Sequence, residues 1–301
     1  MTPIAKTIDW KSWASLAILV VFWGSSFLFI SFTLESFSPF FVTGARLLMA
    51  ALFVGVIARI LAGPFPRQIR FWLWCTPVGM FGLIAPFTLY TWAQVEVPSG
   101  VVAIYIAASP LLVLVLSHFI TDERLTRRGA VGFVVGFAGV ILLIGMDNLR
   151  QLGGGVTFWR ELAAFGAACA FAMGAITVRL MPRYNPLHAT AGALIISACL
   201  YAPLTVAEVP SATPVWTALG ALAVLGIAQT GVAQITRYLL IKRSGAVFAS
   251  QASYLLPIWA VFLGWLFLDE TLTAEDAAGF ILILSGVAVA QFRPLSARRS
   301  D

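Results

Sequence analysis

A stretch of 31 residues occurs twice in this chain, and the duplication constrains the fold more than any other feature. Pro110–Val140 reads PLLVLVLSHFITDERLTRRGAVGFVVGFAGV; 147 positions on, Pro257–Val287 reads PIWAVFLGWLFLDETLTAEDAAGFILILSGV. Eleven of the 31 pairs are identical, including Asp122-Glu123 with Asp269-Glu270, Leu125-Thr126 with Leu272-Thr273, and Gly132 and Gly139 with Gly279 and Gly286. Chance would supply about two or three, so the chain is built from two copies of one unit. Ser99-Gly100 answers Ser244-Gly245 at a spacing of 145, which implies two extra residues in the second copy's helix. The copies are expected at 1–150 and 151–301, with Gly153-Gly154-Gly155 as the seam, the two forming one integrated domain. Thr126 and Thr273 stand where a hydroxyl can cap the helix that follows.

The unit is made of apolar runs. Hydrophobic residues form 60% of the chain and charged residues 11%, against roughly 45–50% and 25% in soluble proteins. Such a chain cannot cover a water-facing surface, so the expected class is an all-α membrane protein. Ten runs, each near the ~20 residues that cross a bilayer, fall at about 13–33, 38–58, 71–93, 98–119, 129–146, 158–178, 187–207, 214–236, 244–268 and 274–292. The first is too long for a secretory leader. The net charge of +6 comes from basic residues scattered in ones and twos, which argues against a nucleic-acid partner. Cys75, Cys169 and Cys199 lie inside apolar runs, with no disulfide or metal-ligand spacing.

Loop charge sets the orientation. Counting the N-terminus as inside, the inner segments hold 16 of the 19 Lys and Arg, the outer loops only Arg150 and Arg160, and Arg46 lies within the second run. That asymmetry predicts cytoplasmic N- and C-termini. With five spans per copy, the Asp122-Glu123 turn faces in and the Asp269-Glu270 turn faces out. The ten helices therefore form two inverted five-helix repeats, the plan of secondary transporters, which place the substrate site near the midplane between repeats.

The local signatures agree with that plan. Trp23-Gly24 in FWGSSF, Arg46 in GARLLMAAL and a P…DExLT pattern in each half resemble the drug/metabolite transporter superfamily, specifically its EamA-type members. The resemblance runs over nearly the whole chain. It implies a multi-pass protein of a bacterial-type inner membrane that exports small metabolites by alternating access. In length and aromatic character the chain is most similar to bacterial exporters of aromatic and other neutral amino acids; efflux of drugs or other metabolites is the alternative. One departure stands out: the second copy has Ala193 where the first has Arg46.

Candidate substrate-binding residues follow from polar and aromatic groups inside apolar runs. Arg46 either snorkels toward the interface, hydrogen-bonds loop carbonyls and helix ends, or presents its guanidinium to a substrate carboxylate in a low-dielectric cavity. Phe87, Tyr90 and Gln94 share a helical face. Tyr105 and Ser109 precede Pro110, Gln229 and Gln234 lie in the eighth run, and Gln251 and Tyr254 precede Pro257. With Trp23 they present aromatic faces and amides, suited to a zwitterion with an apolar side chain; helix-to-helix hydrogen bonding accounts for such residues equally well. Pro86, Pro110 and Pro257 are kink sites, with or without a gating role. The glycines of runs five and ten favour close packing; these runs are poor in polar residues, which places them at the periphery and leaves a homodimer through them open alongside a monomer.

A membrane-embedded enzyme is the distant alternative, but no enzyme is expected, since the two histidines lie at span ends and no hydrolase or metalloprotease motif is present. No cofactor or metal is called for. The expected partners are an amino-acid substrate and the lipid bilayer. All thirteen acids fall in loops, tails or span ends, so no buried carboxylate is available to couple a proton.

Overall fold

A computed structural model describes residues 9–121, 124–144, 156–244, 246–249 and 251–291. Among these, every regular element is helical. In chain order they are α1 Trp10–Leu34, α2 Pro39–Leu61, α3 Ile69–Ala93, α4 Ser99–Ile120, α5 Arg127–Ile144, α6 Val156–Leu180, α7 Pro186–Ala207, α8 Trp216–Ile241, α9 Ala252–Leu268 and α10 Ala274–Gln291. Eight, α1 to α8, are long and apolar enough to cross a membrane. The 17-residue α9 is shorter because Gln251 forms a turn between it and a four-residue helix, Ala246–Ala249. Helix α10 opens with Glu275 and Asp276 in its first turn. The first Asp-Glu turn and the triple-glycine seam lie outside the described residues.

The exterior confirms the solvent. On α2, Leu48, Leu52, Val56 and Ile60 recur every four residues, and each is at least half exposed. An apolar stripe of that length is stable against lipid and costly against water. This is a multi-pass membrane protein.

Helix ends follow local chemistry. Ser38 accepts from Phe41 N and Asn185 from Leu187 N, each just before a proline that needs no partner for its missing N–H. Thr126 caps α5 through Gly129 N at 3.1 Å, and Thr273 caps α10 through Asp276 N at 3.1 Å, while the Asp276 carboxylate returns to Thr273 N at 2.9 Å. The prolines behave differently from one another. Pro86 lies two residues beyond the end of Met80–Ile84, where α3 widens to i→i+5 bonding. Helix α8 widens in the same way over Leu225–Val232, the corresponding part of the second copy. Pro110 marks a break in α4 at Ala108, whereas Pro257 sits inside α9 without interrupting it.

The bundle has two distinct ends. At one, Asp9 pairs with Arg243, Ser12 Oγ meets Ser244 Oγ at 2.5 Å, and His188 Nε2 lies 3.2 Å from Gly63 O. At the other, Val215 N donates to Ser36 Oγ at 3.2 Å, and Arg160 pairs with Glu96 at 3.6 Å. Glu270 reaches across at that second end. Its carboxylate accepts from Ser99 N at 2.6 Å, Ser99 Oγ at 3.0 Å and Gly100 N at 3.0 Å, capping α4 from the opposite repeat. Asp269, with a left-handed φ of 53°, closes α9 and turns Glu270 toward that contact.

The glycines of α5 and α10 pack these two helices tightly on each other: Gly132 lies on Gly286, and Gly139 on Gly279. These pairs exchange under the 147-residue repeat, Gly132 matching Gly279 and Gly139 matching Gly286. Such an exchange requires an antiparallel contact about a local two-fold axis. Helix α2 packs closely on α7, its own repeat counterpart, with Gly44 against Thr205.

Candidate functional site

Arg46 is 3% exposed, in the second turn of α2. Its Nε donates to Thr230 Oγ1 of α8 at 2.6 Å, and its Nη1 donates to the hydroxyl of Tyr90 on α3. The guanidinium carbon stands 4.0 Å over the Phe87 ring and 5.7 Å from that of Tyr90. Phe171 of α6 stacks on Tyr90 with centroids 6.2 Å apart, and Phe27 of α1 lies against Tyr90 at 5.7 Å. The arrangement gathers α1, α2, α3 and α6 with α8, and so draws on both repeats. Snorkelling is excluded by this burial.

The chemistry follows from the donor count. A guanidinium has five N–H groups in a planar fork. Two are taken by neutral hydroxyls, and no carboxylate pairs with Arg46 among the described residues. Neutral hydroxyls and a ring face orient the cation without cancelling its charge. A buried cation left in that condition attracts an anion able to accept two parallel hydrogen bonds, which describes a carboxylate.

Other predicted residues extend this centre. Gln229 is 2% exposed and accepts from Ser26 Oγ at 3.4 Å. Gln94 donates through Nε2 to Phe27 O at 2.8 Å, and its Oε1 is buried without a partner. Trp23 is half-buried on α1, one turn before Phe27. Gln234 is half-buried on α8.

The rest are not gathered around Arg46. Tyr105 is fully buried with its hydroxyl unpartnered. Ser109 returns its hydroxyl to Ile106 O at 2.7 Å, satisfying the α4 break. Gln251 is exposed in the turn before α9, and Tyr254 is half-buried on α9. A shallow apolar cleft of about 450 Å³ between Pro98, Val261, Trp265 and Leu272 lies by the Glu270 cap, away from the Arg46 cluster.

Thr230, Phe27 and Phe171 were absent from the sequence reading, because a threonine or phenylalanine in an apolar run carries no signal of its own. Arg237 was assigned to an inner loop. The structure instead carries the helix on to Ser244, so Arg237 lies within it, seven residues before the end.

Comparison with known proteins supplies the remaining context. An archaeal protein from Archaeoglobus fulgidus described as an uncharacterized transporter is 25% identical over 288 residues, spanning 93% of this chain and 98% of its own length. The aromatic amino acid exporter YddG of Ancylobacter novellus is 28% identical, spanning 83% and 84%. A probable terminal-alkyne amino-acid exporter of Streptantibioticus cattleyicolor is 25% identical over 95% of both chains. A crystal structure 23% identical in sequence superposes with a TM-score of 0.63 over 96% of this chain and 99% of its own, which establishes the shared fold. The family model for EamA-like transporters matches twice, over residues 11–145 and 158–291. The two matches fall on the two copies read from the duplication, and the chain belongs to the EamA-like transporter family.

Proposed function

We propose that this protein exports aromatic and other neutral amino acids across a bacterial inner membrane, by alternating access through a cavity between two inverted five-span repeats. In this reading all ten helices cross the bilayer, both termini are cytoplasmic, and the Arg46 cluster is the substrate site. One observation carries it: a buried guanidinium with no carboxylate partner among the described residues, held over a phenyl ring and bordered by further aromatic faces. That pairing suits a molecule carrying a carboxylate and an apolar side chain. The names of two relatives, exporters of amino acids, support the same substrate class. Gln94 Oε1, left without a partner, suits an ammonium donor. The acids among the described residues lie at or near helix ends, so the carrier runs down the substrate gradient without a proton.

Proteoliposomes preloaded with labelled tryptophan or phenylalanine test this. Release should saturate, leave the amino acid chemically unchanged, and respond little to an imposed pH gradient. Arg46→Met should raise the half-saturating concentration by about 10- to 150-fold, the loss of a hydrogen bond to a charged group worth about 1.5–3 kcal/mol. Chemical conversion of the amino acid, or an R46M variant indistinguishable from the parent, would refute the reading. Movement of apolar cations alone would mark the protein as a drug carrier instead.

A further inference from the structure

One face of α8 and its continuation to Ser244 is formed by Gly226, Thr230, Ala233, Arg237, Leu240 and Ser244, spaced three and four residues apart. All are buried except Arg237, which is exposed. This face looks into the bundle: Thr230 binds Arg46, and Ser244 meets Ser12 of α1. Arg237 is thus exposed between Ala233 and Leu240, which are 0% and 1% exposed, on the face that binds Arg46 at one end and meets α1 at the other, and we infer that the opening lies between helices. Leu239, half exposed, lies on the other side of the helix.

The guanidinium of Arg237 does not turn toward the nearby end of the bundle. Its carbon lies 6.0 Å from the ring centroid of Trp23, a half-buried residue midway along α1. Helices α1 and α8 run antiparallel, with Ser26 beside Gln229 and Ser12 beside Ser244. Arg237 therefore lies level with a residue below Trp23, and its side chain rises along the helix to reach that ring, the direction helical geometry favours. Among the described residues no carboxylate pairs with it.

Helix α1 measures the distance between the two cations. Trp23 faces Arg237, and Phe27 touches Tyr90, the acceptor of Arg46. Four residues separate Trp23 from Phe27, a rise of about 6 Å. The repeat gives a second, independent argument. Arg237 answers Tyr90 at the 147-residue spacing of the helix starts, Ile69 and Trp216, and Trp92 at the 145-residue spacing of Ser99 and Ser244, so in either register its counterpart is an aromatic residue near the end of α3. In an inverted pair, a residue lining the path on one side of the axis has its counterpart lining it on the other. Ala193 replaces Arg46 in the second copy, but that copy carries its cation one helix later.

We propose that Arg237 and Trp23 form a second carboxylate-recognising station on the transport path, one helical turn from the Arg46 site toward the end where Asp9 meets Arg243. Here the carboxylate binds Arg237 while the apolar side chain lies on the Trp23 ring, before passing to Arg46, Phe87 and Tyr90. The station sets a requirement for a carboxylate at entry, separate from the requirement at the central site. It rests on the transport reading above, and the tests keep the two apart.

The first test asks whether the opening holds water. With the three native cysteines replaced by alanine, R237C and L239C are treated with a charged, impermeant thiosulfonate in vesicles of each orientation. Only a hydrated thiol ionises and reacts, so R237C should label from the Asp9 end and L239C should stay unlabelled. Labelling of neither, or of both equally, overturns the proposal. The second test is calorimetric titration of the detergent-solubilised protein with 3-phenylpropionate and with 3-phenylpropanol, which lacks the carboxylate. R237Q should weaken the carboxylate about tenfold or more and the alcohol less than about twofold, with R237K between. Equal effects on both ligands, no effect on either, or no carboxylate binding by the parent protein overturns the station. If both tests come out as expected while vesicles move no aromatic amino acid, the transport reading falls and the carboxylate station stands.

Discussion

Replacing Gly139 by alanine sets two effects of opposite sign against each other. Helix propensity alone favours alanine over glycine inside a helix by about 1 kcal/mol. The structure opposes it. A methyl group on Gly139 would lie 2.6 Å from Gly279 O, 2.9 Å from Leu282 Cβ and 3.0 Å from Ile283 Cγ1. Ordinary contacts between carbon atoms lie at about 3.5–4.0 Å, and the nearest obstacle is backbone, which cannot rotate away. Relief requires α5 and α10 to separate by something near half an ångström or more. A gap of that size forfeits roughly a quarter to a half of each dispersion contact across the seam, and overpacking of this kind costs about 1–3 kcal/mol. Sterics therefore win. Gly220 on α8 is the control, since it is exposed and a methyl group there meets nothing within 4 Å. Thermal unfolding followed by far-ultraviolet circular dichroism in one detergent should place G139A below the parent and G220A level with it or above. A G139A midpoint equal to or higher than that of G220A would refute the close antiparallel seam and weaken the two-fold relation inferred from it.

Two further outcomes concern the ends of the bundle. Glu270→Ala should destabilise the protein by about 0.5–2 kcal/mol, the usual cost of losing a helix cap, because three donors at the start of α4 lose their acceptor; thermal unfolding at neutral pH checks this, and an unchanged midpoint would count against the cap. Asp9 is held down to about 2 from an ordinary 3.8, first by its hydrogen bond from Arg243 and then by Ser12. A depressed carboxylate contributes stability in full above its unfolded pKa and loses it as pH falls through the folded value. The difference in midpoint between the parent and D9N should therefore hold steady from pH 8 to about 5 and shrink between about 4 and 2, and a difference that varies between pH 5 and 8 would point to another group.

Much of the architecture was legible in the chain because the membrane reduces the problem. Every buried backbone group in lipid must bond within its own segment, so a run of about 20 apolar residues determines a helix without help from its neighbours. The duplication supplied the repeat, and loop charge supplied which connections share an end. Phe87 and Tyr90 could be read as one face from their spacing, and Arg46 as a cation inside a span, with its partners left open. What the sequence could not supply was contact. The glycines of α5 and α10 promised close packing but named no partner, since the same small surface fits another subunit or another helix. Only the fold set Gly132 on Gly286 and Gly139 on Gly279. Thr230 looked like any threonine in an apolar run until α8 brought it to Arg46. Arg237 was read as a loop residue because charge ordinarily ends a span. The tertiary structure placed it within a helix, on an otherwise buried face and beside the Trp23 ring. Local sequence fixes which segments become helices, because lipid enforces their internal hydrogen bonds. Which cation meets a carboxylate, and which meets only hydroxyls and rings, depends on side chains that come together from distant helices.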